Sequence, residues 1–518
     1  MTSYCVESTF YHMKKPVQLP KVEPVTLPTI LGVRPGIYIL ILGVLLIALV
    51  LFLVGCLPGI LNGGKKVTFT SPLTSVAVTI DGVYKGATPF EIFVESGDHE
   101  ISFSKDGVVL QTKDVRVGHP VFFSWLFPRK QTVENDALNI TRQGIDRLTE
   151  KFLDDLAGWS AVTDYDGRYH FPPLYTNWAT DMTVLVPEIS DGSATSVALR
   201  KEISDAWTLA CAHITSKTLL DDASAAKGTL LAAGLLQDTA TADRLLAVAG
   251  RLFTDQGSLT DMVGLAAGGS TAGGDTGANQ TSALTVPGLS IDGFTYFPET
   301  FVMGDAVPEI WPAVTGAGVD VSTGAFSIAA TEVTEYQWAL FVEQNPYWSK
   351  ANLSQLVADG MADDYYLAGI FPSTAIQSSR PIRKISYYAA QAFCEWLSGL
   401  SGKNVHLPTE EQWTRAALSA QGKEYAKALL TIDMDTTAPS AMLGGVWEFT
   451  STRFIPLARV SGAYVEIQRL ADTAGLSTDM VVKGGSYINS PTDIGVATVG
   501  TADRAACGEY TGMRIVWE

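Results

Sequence analysis

The chain has 518 residues, with 36 Lys and Arg against 54 Asp and Glu, for a formal net charge of -18. One hydrophobic core rarely grows past about 250 to 300 residues, so several domains are predicted. The acidic balance excludes a nucleic-acid surface, which needs clustered Lys and Arg to neutralise phosphates.

From Gly36 to Leu57 the sequence GIYILILGVLLIALVLFLVGCL carries no charge over 22 residues. As a helix rising about 1.5 Å per residue it spans a hydrocarbon core of roughly 30 Å, which predicts a transmembrane helix over 36–61 after a cytoplasmic tail, 1–35. Lys14, Lys15, Lys21 and Arg34 precede the span against Glu7 and Glu23, and only Lys65 and Lys66 follow it. This bias places the N-terminus inside and the rest outside the cytoplasm, as in a single-pass protein of a bacterial inner membrane with periplasmic domains. A cleaved signal stays open. So does a lipoprotein acylated at Cys56, because Leu53-Val54-Gly55-Cys56 looks like a lipobox. Leu57, Pro58, Gly59 and Ile60 keep the run apolar where a mature lipoprotein turns polar, which favours an uncleaved anchor. Beyond the span stand Cys211, Cys394 and Cys507, too few for a disulfide framework.

Residues 65–133 alternate apolar and polar side chains in short runs such as Val76-Ala77-Val78-Thr79-Ile80 and Glu91-Ile92-Phe93-Val94, separated by Asp81-Gly82, Gly86-Ala87-Thr88-Pro89, Ser96-Gly97-Asp98 and Asp106-Gly107. This predicts a small antiparallel β-domain. The order of these signals, with His99 entering a strand, resembles the PEGA domain. The resemblance implies a structural His99 and a role in adhesion or assembly. The apolar stretch Val121–Phe127 is too short to span a bilayer and is read as packing between domains.

Between 134 and 266 apolar residues recur at helical spacing, including Leu199, Ile203, Trp207, Ala210 and Ile214, so a helical domain is predicted with no motif that carries chemistry. The Gly- and Ser-rich run within 267–285 reads as a flexible linker.

The C-terminal segment, 286–518, contains Phe301-Val302-Met303-Gly304-Asp305, Glu332-Val333-Thr334, a Pro381-to-Trp396 motif, Leu407-Pro408-Thr409-Glu410-Glu411-Gln412-Trp413, Gly444-Gly445-Val446-Trp447-Glu448-Phe449, Gly484-Gly485-Ser486-Tyr487 and Gly512-Met513-Arg514. Together, in this order, they resemble the formylglycine-generating enzyme family, also called sulfatase-modifying factors. That implies a loop-rich variant of the C-type lectin-like fold, and for the whole chain a multidomain α+β class with one transmembrane helix. Physically the motif residues read as scaffold. Thr409 with Gln412 forms a capping box, and Trp396, Trp413 and Trp447 are core or half-buried aromatics. Glu410 and Arg514 are partners for buried polar groups, and Glu448, Gly484, Gly485 and Ser486 complete the scaffold set.

The family's enzymes carry two redox-active cysteines just behind the Gly-Gly-Ser-Trp/Tyr motif, where a thiolate pair selects monovalent copper. Here residues 488–494 read Ile-Asn-Ser-Pro-Thr-Asp-Ile. Cys394 sits where the family often has a structural cysteine, but Ile515 replaces its partner. A buried free thiol is expected, with a bridge to Cys507 left open. A second enzymatic branch, the sulfoxide synthases of ergothioneine biosynthesis, takes iron ligands from a helical domain. The helical domain here has only His170 and His213, without a His-x-x-x-His pair. A calcium site is not predicted either. Gly445 replaces the family's Asn, and Asp433 and Asp435 fall short of the roughly six to eight oxygens a calcium ion takes.

No catalytic residue, metal or cofactor is therefore assigned. The sequence predicts a membrane-anchored binding or scaffold protein of the bacterial envelope, with envelope proteins or cell-wall glycan as partners and an oligomer left open. The alternatives are a component of a large gliding or secretion assembly, or a divergent thiol oxidase using Cys394 or Cys507. Asn345, Tyr347 and Trp348, two aromatics beside a turn-forming Asn-Pro, are the candidate contact surface.

Overall fold

The computed structural model describes residues 28–29, 32–61, 63–121, 129–161, 170–189, 194–215, 217–253, 280–303, 319–420, 424–429, 438–459 and 461–518. Of the expected linker 267–285, residues 267–279 lie outside the described residues, as do residues 122–127, Gly304, Asp305, Asp433, Asp435 and the charges before Arg34, while 280–285 belong to the strand Gln280–Val286 and are not linker, because they pair as a hairpin with the strand that follows. The chain divides into two compact units.

The first unit holds residues up to Phe69, Phe90–Ile101 and Asp114–Val133. Helix α1 (Pro35–Gly55) starts on a proline whose fixed φ suits the first helical turn, and α2 (Leu57–Leu61) follows at once. The stretch Pro35–Leu61 is 27 residues long with none of its most apolar window buried, long and apolar enough to cross a membrane as a single-pass anchor or a signal sequence.

The strands that follow are β1 (Gly64–Thr70), β2 (Ala77–Ile80), β3 (Val83–Ala87), β4 (Phe90–Glu95), β5 (Gly97–Lys105), β6 (Val108–Val117) and β7 (Lys130–Glu134). The single β-domain expected over 65–133 is thus two sheets, ordered β4-β1-β7 and β3-β2-β5-β6. The split arises because β4 returns antiparallel to β1, pairing Gly64 with Glu95 and Phe69 with Phe90, while the β2–β3 hairpin joins the later strands. His99 lies in the first unit, its Nε2 hydrogen-bonded to the Glu95 carbonyl at 3.0 Å.

In the second unit, helices α3 (Arg142–Ala161), α4 (Leu174–Ile189), α5 (Ala194–Ala212), α6 (Leu220–Ala232) and α7 (Ala240–Phe253) pack around aromatics. Phe152 stacks on Trp178 at 4.5 Å, and Tyr175 meets Trp207 edge-on at 6.1 Å. Buried Asp181 of α4 accepts from the Thr74 backbone N–H at 2.8 Å, from the Thr74 hydroxyl and from the Lys105 ammonium, tying the strand residues of this unit to the helices.

The C-terminal part comprises β8 (Gln280–Val286), β9 (Leu289–Tyr296), β10 (Glu299–Met303), β11 (Val319–Thr323), β12 (Phe326–Ala329), α8 (Glu335–Gln344), α9 (Leu353–Ala358), α10 (Tyr387–Ser401), β13 (Val405–His406), α11 (Glu410–Ser419), β14 (Trp447–Arg453), α12 (Tyr464–Ala474), β15 (Met480–Lys483), β16 (Gly500–Ala502), β17 (Thr511–Met513) and β18 (Val516–Trp517). Its main sheets run β13-β18-β12-β9-β8 and β16-β15-β14-β17. The last strand pairs antiparallel with both β12 and β13, so the chain's end closes the sheet that its N-terminal strands began. Helix α11 starts at Thr409, whose hydroxyl accepts from the Gln412 backbone while the Gln412 side chain accepts from the Thr409 N–H. This cap fixes where Glu410 and Trp413 enter the core.

Candidate functional site

The C-terminal motifs meet in one buried polar network. The parallel pairing of β14 with β17 sets Glu448 opposite Gly512, two residues before Arg514. Arg514 Nε lies 3.1 and 3.0 Å from the two Glu448 carboxylate oxygens, and its Nη2 donates to Glu448 Oε1 at 2.8 Å. Nη1 donates to the Ala329 carbonyl and Nη2 also to the Ser440 carbonyl, each at 2.9 Å. The Trp413 indole N–H donates to Glu448 Oε2 at 2.8 Å. Arg514, Trp413 and Glu448 are at most 1% exposed, so the pair is shielded from water and each partner depends on the other.

Lys483 packs on the face of Trp413, 5.4 Å from the ring centroid, and reaches Glu410 Oε1 at 3.5 Å. The Glu410 carboxylate also accepts from the Arg459 guanidinium and, at 3.2 Å, from the Tyr464 hydroxyl. Burial alone would raise the Glu410 pKa, but Arg459 and Lys483 together hold it below the usual carboxylate value. Burial pushes Lys483 down to about 8 against the opposing pull of Glu410.

Glu332 is the third carboxylate in this core, accepting a 3.4 Å hydrogen bond from the Val446 N–H. Burial first, and then the Glu448 charge, push it up to about 7 against the pull of Arg514. Gly445 lies at φ +62°, where a Cβ would collide with Glu332 Oε1. The glycine that departs from the family's Asn is therefore the residue that makes room for Glu332. Gly484, at φ +93°, faces Trp413 and the Met442 carbonyl, which a Cβ would approach to 2.9 Å.

The loop after Gly485 closes on itself. Ser486 donates from its backbone N–H and its hydroxyl to Asn489 Oδ1, both at 2.8 Å, and its carbonyl accepts from Tyr425 OH at 2.7 Å. Tyr487 meets Tyr510 edge-on, and Ile488 is exposed. Cys394 and Cys507 are buried free thiols in the apolar cluster that also holds Phe449 of β14 and Met513 of β17. Burial pushes both thiols far above their ordinary pKa, disfavouring the thiolate that a nucleophile or copper ligand requires. Among the described residues no three His, Cys, Asp or Glu side chains gather as a metal-ligand set.

Residues 254–440 match the family described as the sulfatase-modifying factor enzyme 1-like domain, and residues 67–119 match the PEGA domain. The chain carries both domains. The first match ends before the Gly444, Gly484 and Gly512 motifs, yet these supply Glu448, Lys483 and Arg514 to the core that Glu410 and Trp413 enter from within it. The chain is 29% identical over 90 residues to an uncharacterised protein of Borreliella burgdorferi, covering 17% of this chain and 18% of that one. Similar solved structures include Treponema denticola variable protein 1 (15% identity, 46% of this chain and 99% of that one, TM-score 0.31) and PvdO from Pseudomonas aeruginosa (18% identity, 46% and 99%, TM-score 0.30).

The scaffold residues Glu410, Trp413, Glu448, Gly484, Gly485, Ser486 and Arg514 are all buried in this domain, and Trp447 is half-buried against its core. Glu410 and Arg514 belong to separate halves of the network, joined by Trp413. Sequence reasoning missed Arg459 and Lys483 as partners of Glu410. Lys483 directly precedes the Gly-Gly-Ser motif and was findable as the cation a buried glutamate demands, whereas Arg459 lies in a segment with no motif. Of the three candidate surface residues, Asn345 and Trp348 are half-buried. Trp348 packs against the domain's own core while its carbonyl accepts from Tyr366 OH at 2.8 Å, and Asn345 donates to the Phe341 carbonyl at 3.0 Å. Tyr347 alone stays exposed, its hydroxyl on Asp359. Phe371, 79% exposed beneath Lys350, is the larger apolar surface of this region.

Proposed function

We propose that this chain is a membrane-anchored protein of the bacterial envelope whose sulfatase-modifying-factor domain binds or scaffolds a partner outside the cytoplasm and performs no catalysis. One observation carries the reading. The polar groups of the family motifs are turned inward and engaged with one another, while the loop that holds the family's reactive thiols closes through Ser486 and Asn489. A domain arranged this way retains the cost of a buried ionic core and lacks the group that would do chemistry.

The N-terminal apolar helix supports anchoring, and the PEGA domain supports a role in assembly. The partner is an envelope protein or cell-wall glycan, met through exposed rings such as Tyr347 and Phe371. Titration of the full chain with monovalent copper against a competing chelator tests the non-catalytic part. The chelator is expected to keep the copper, and retention of one equivalent by the protein defeats the reading.

A further inference from the structure

We infer that a cleft between α3, α5 and α12 binds a small organic cation with an apolar body. The cleft has a volume of about 400 Å³, within the range of roughly 300 to 1,000 Å³ typical of small-molecule sites. Its wall is aliphatic, formed by Leu153, Leu199, Ile203 and Leu209 from the helical segment and Leu470 from α12. Every ionisable side chain that lines it is acidic: Asp146 and Glu150 on α3, Glu202 and Asp205 on α5.

Neighbouring cations neutralise only part of this charge. Arg142 bridges Asp146, at 2.9 Å, and Glu202, while Lys201 pairs with Asp205 at 2.5 Å. Among the described residues, four carboxylates against two paired cations leave two negative charges beside a low-dielectric wall, where attraction for a ligand's positive charge is stronger than in open water. An anion is repelled by the same rim, and a neutral apolar molecule gains from the wall alone. The space takes one ring or a short alkyl chain, less than the row of side chains a docking helix inserts. The residues involved are separate from the motif network, so this inference does not depend on whether the sulfatase-modifying-factor domain is catalytic.

The test compares phenylbutylamine, its alcohol and the corresponding phenylbutyrate as probes of the full chain in lipid nanodiscs, with empty nanodiscs subtracted and binding read by saturation-transfer NMR and calorimetry. The amine is expected to bind with one-to-one stoichiometry about tenfold more tightly than the alcohol, as two partly screened charges would give, and the carboxylate not at all. Glu150→Gln with Glu202→Gln, both exposed positions, should bring the amine down to the level of the alcohol. Thr473→Trp, at the cleft edge on α12, should weaken both. Equal binding of amine and carboxylate, or amine affinity unchanged in either variant, overturns the inference.

Discussion

The helical segment and the C-terminal domain differ in how far they rely on buried ions. Around Phe152, Trp178 and Trp207 the helices bury mostly neutral groups, the Asp181–Lys105 pair aside, and His213 sits fully buried with its Nδ1 3.0 Å from Ser160 Oγ. The C-terminal domain buries ions in matched sets, Arg514 with Glu448 and Arg459 with Lys483 around Glu410. The first arrangement tolerates change as long as volume and neutrality are kept. The second fails when one partner is lost, because a charge is left without its counter-ion.

The largest expected effect follows from that difference. Arg514→Met leaves Glu448 and Glu332 buried with no cation between them and should cost about 3 to 5 kcal/mol in the C-terminal unfolding transition, measured by denaturant titration. Adding Glu448→Gln should recover part of the loss. A cost no larger than that of a neutral core substitution would erase the contrast between the two regions.

Acid should move the two cores in opposite directions. Burial lowers His213 from its ordinary 6.5 to about 4, so its contribution to stability is present above pH 6.5 and is lost as pH falls through 4. Glu332 is raised from 4.5 to about 7, so its contribution is full below pH 4.5 and is lost as pH rises through 7. At roughly 1.4 kcal/mol per pH unit, each is on the order of 3 kcal/mol. Hydrogen exchange at pH 7 and pH 5 should show helical amides losing protection on acidification while those around β14 and β17 gain it, and His213→Gln and Glu332→Gln should each flatten one of the two trends.

Gly445→Ala should destabilise the C-terminal domain by about 1 to 3 kcal/mol, since it combines a strained φ with a collision at Glu332. A Gly445→Ala, Glu332→Ala double variant, which removes the collision, should be less destabilised than the sum of the two. Thr409→Ala removes the α11 cap and should cost about 1 kcal/mol in the same transition. Smallest of all, Tyr347→Ala and Phe371→Ser should change stability by no more than about 0.5 kcal/mol, while reducing the yield of crosslinked partner from intact cells.

The contrast also explains what the sequence disclosed. Glu410, Trp413, Glu448 and Arg514 were legible because an ionic core admits few substitutes and so leaves fixed motifs. The helical core left only a spacing of apolar residues, since many combinations of Leu, Ile and Trp fill the same volume. A turn-forming Asn-Pro places two rings side by side without saying how far each turns inward, and Trp348 packs half-buried against the core while Tyr347 stays exposed. The β-strands were read correctly as alternating, but alternation does not determine partners, and β4 pairing back onto β1 was not visible.

The central claim is that the sulfatase-modifying-factor domain has kept its core and lost its chemistry. The most direct test incubates the full chain with monovalent copper, oxygen, a reductant and a cysteine-bearing peptide, and follows the peptide by mass spectrometry. The peptide cysteine is expected to remain unchanged over many hours. Conversion of that cysteine to the aldehyde, lost on substitution of Cys394 or Cys507 by Ser, would contradict the account.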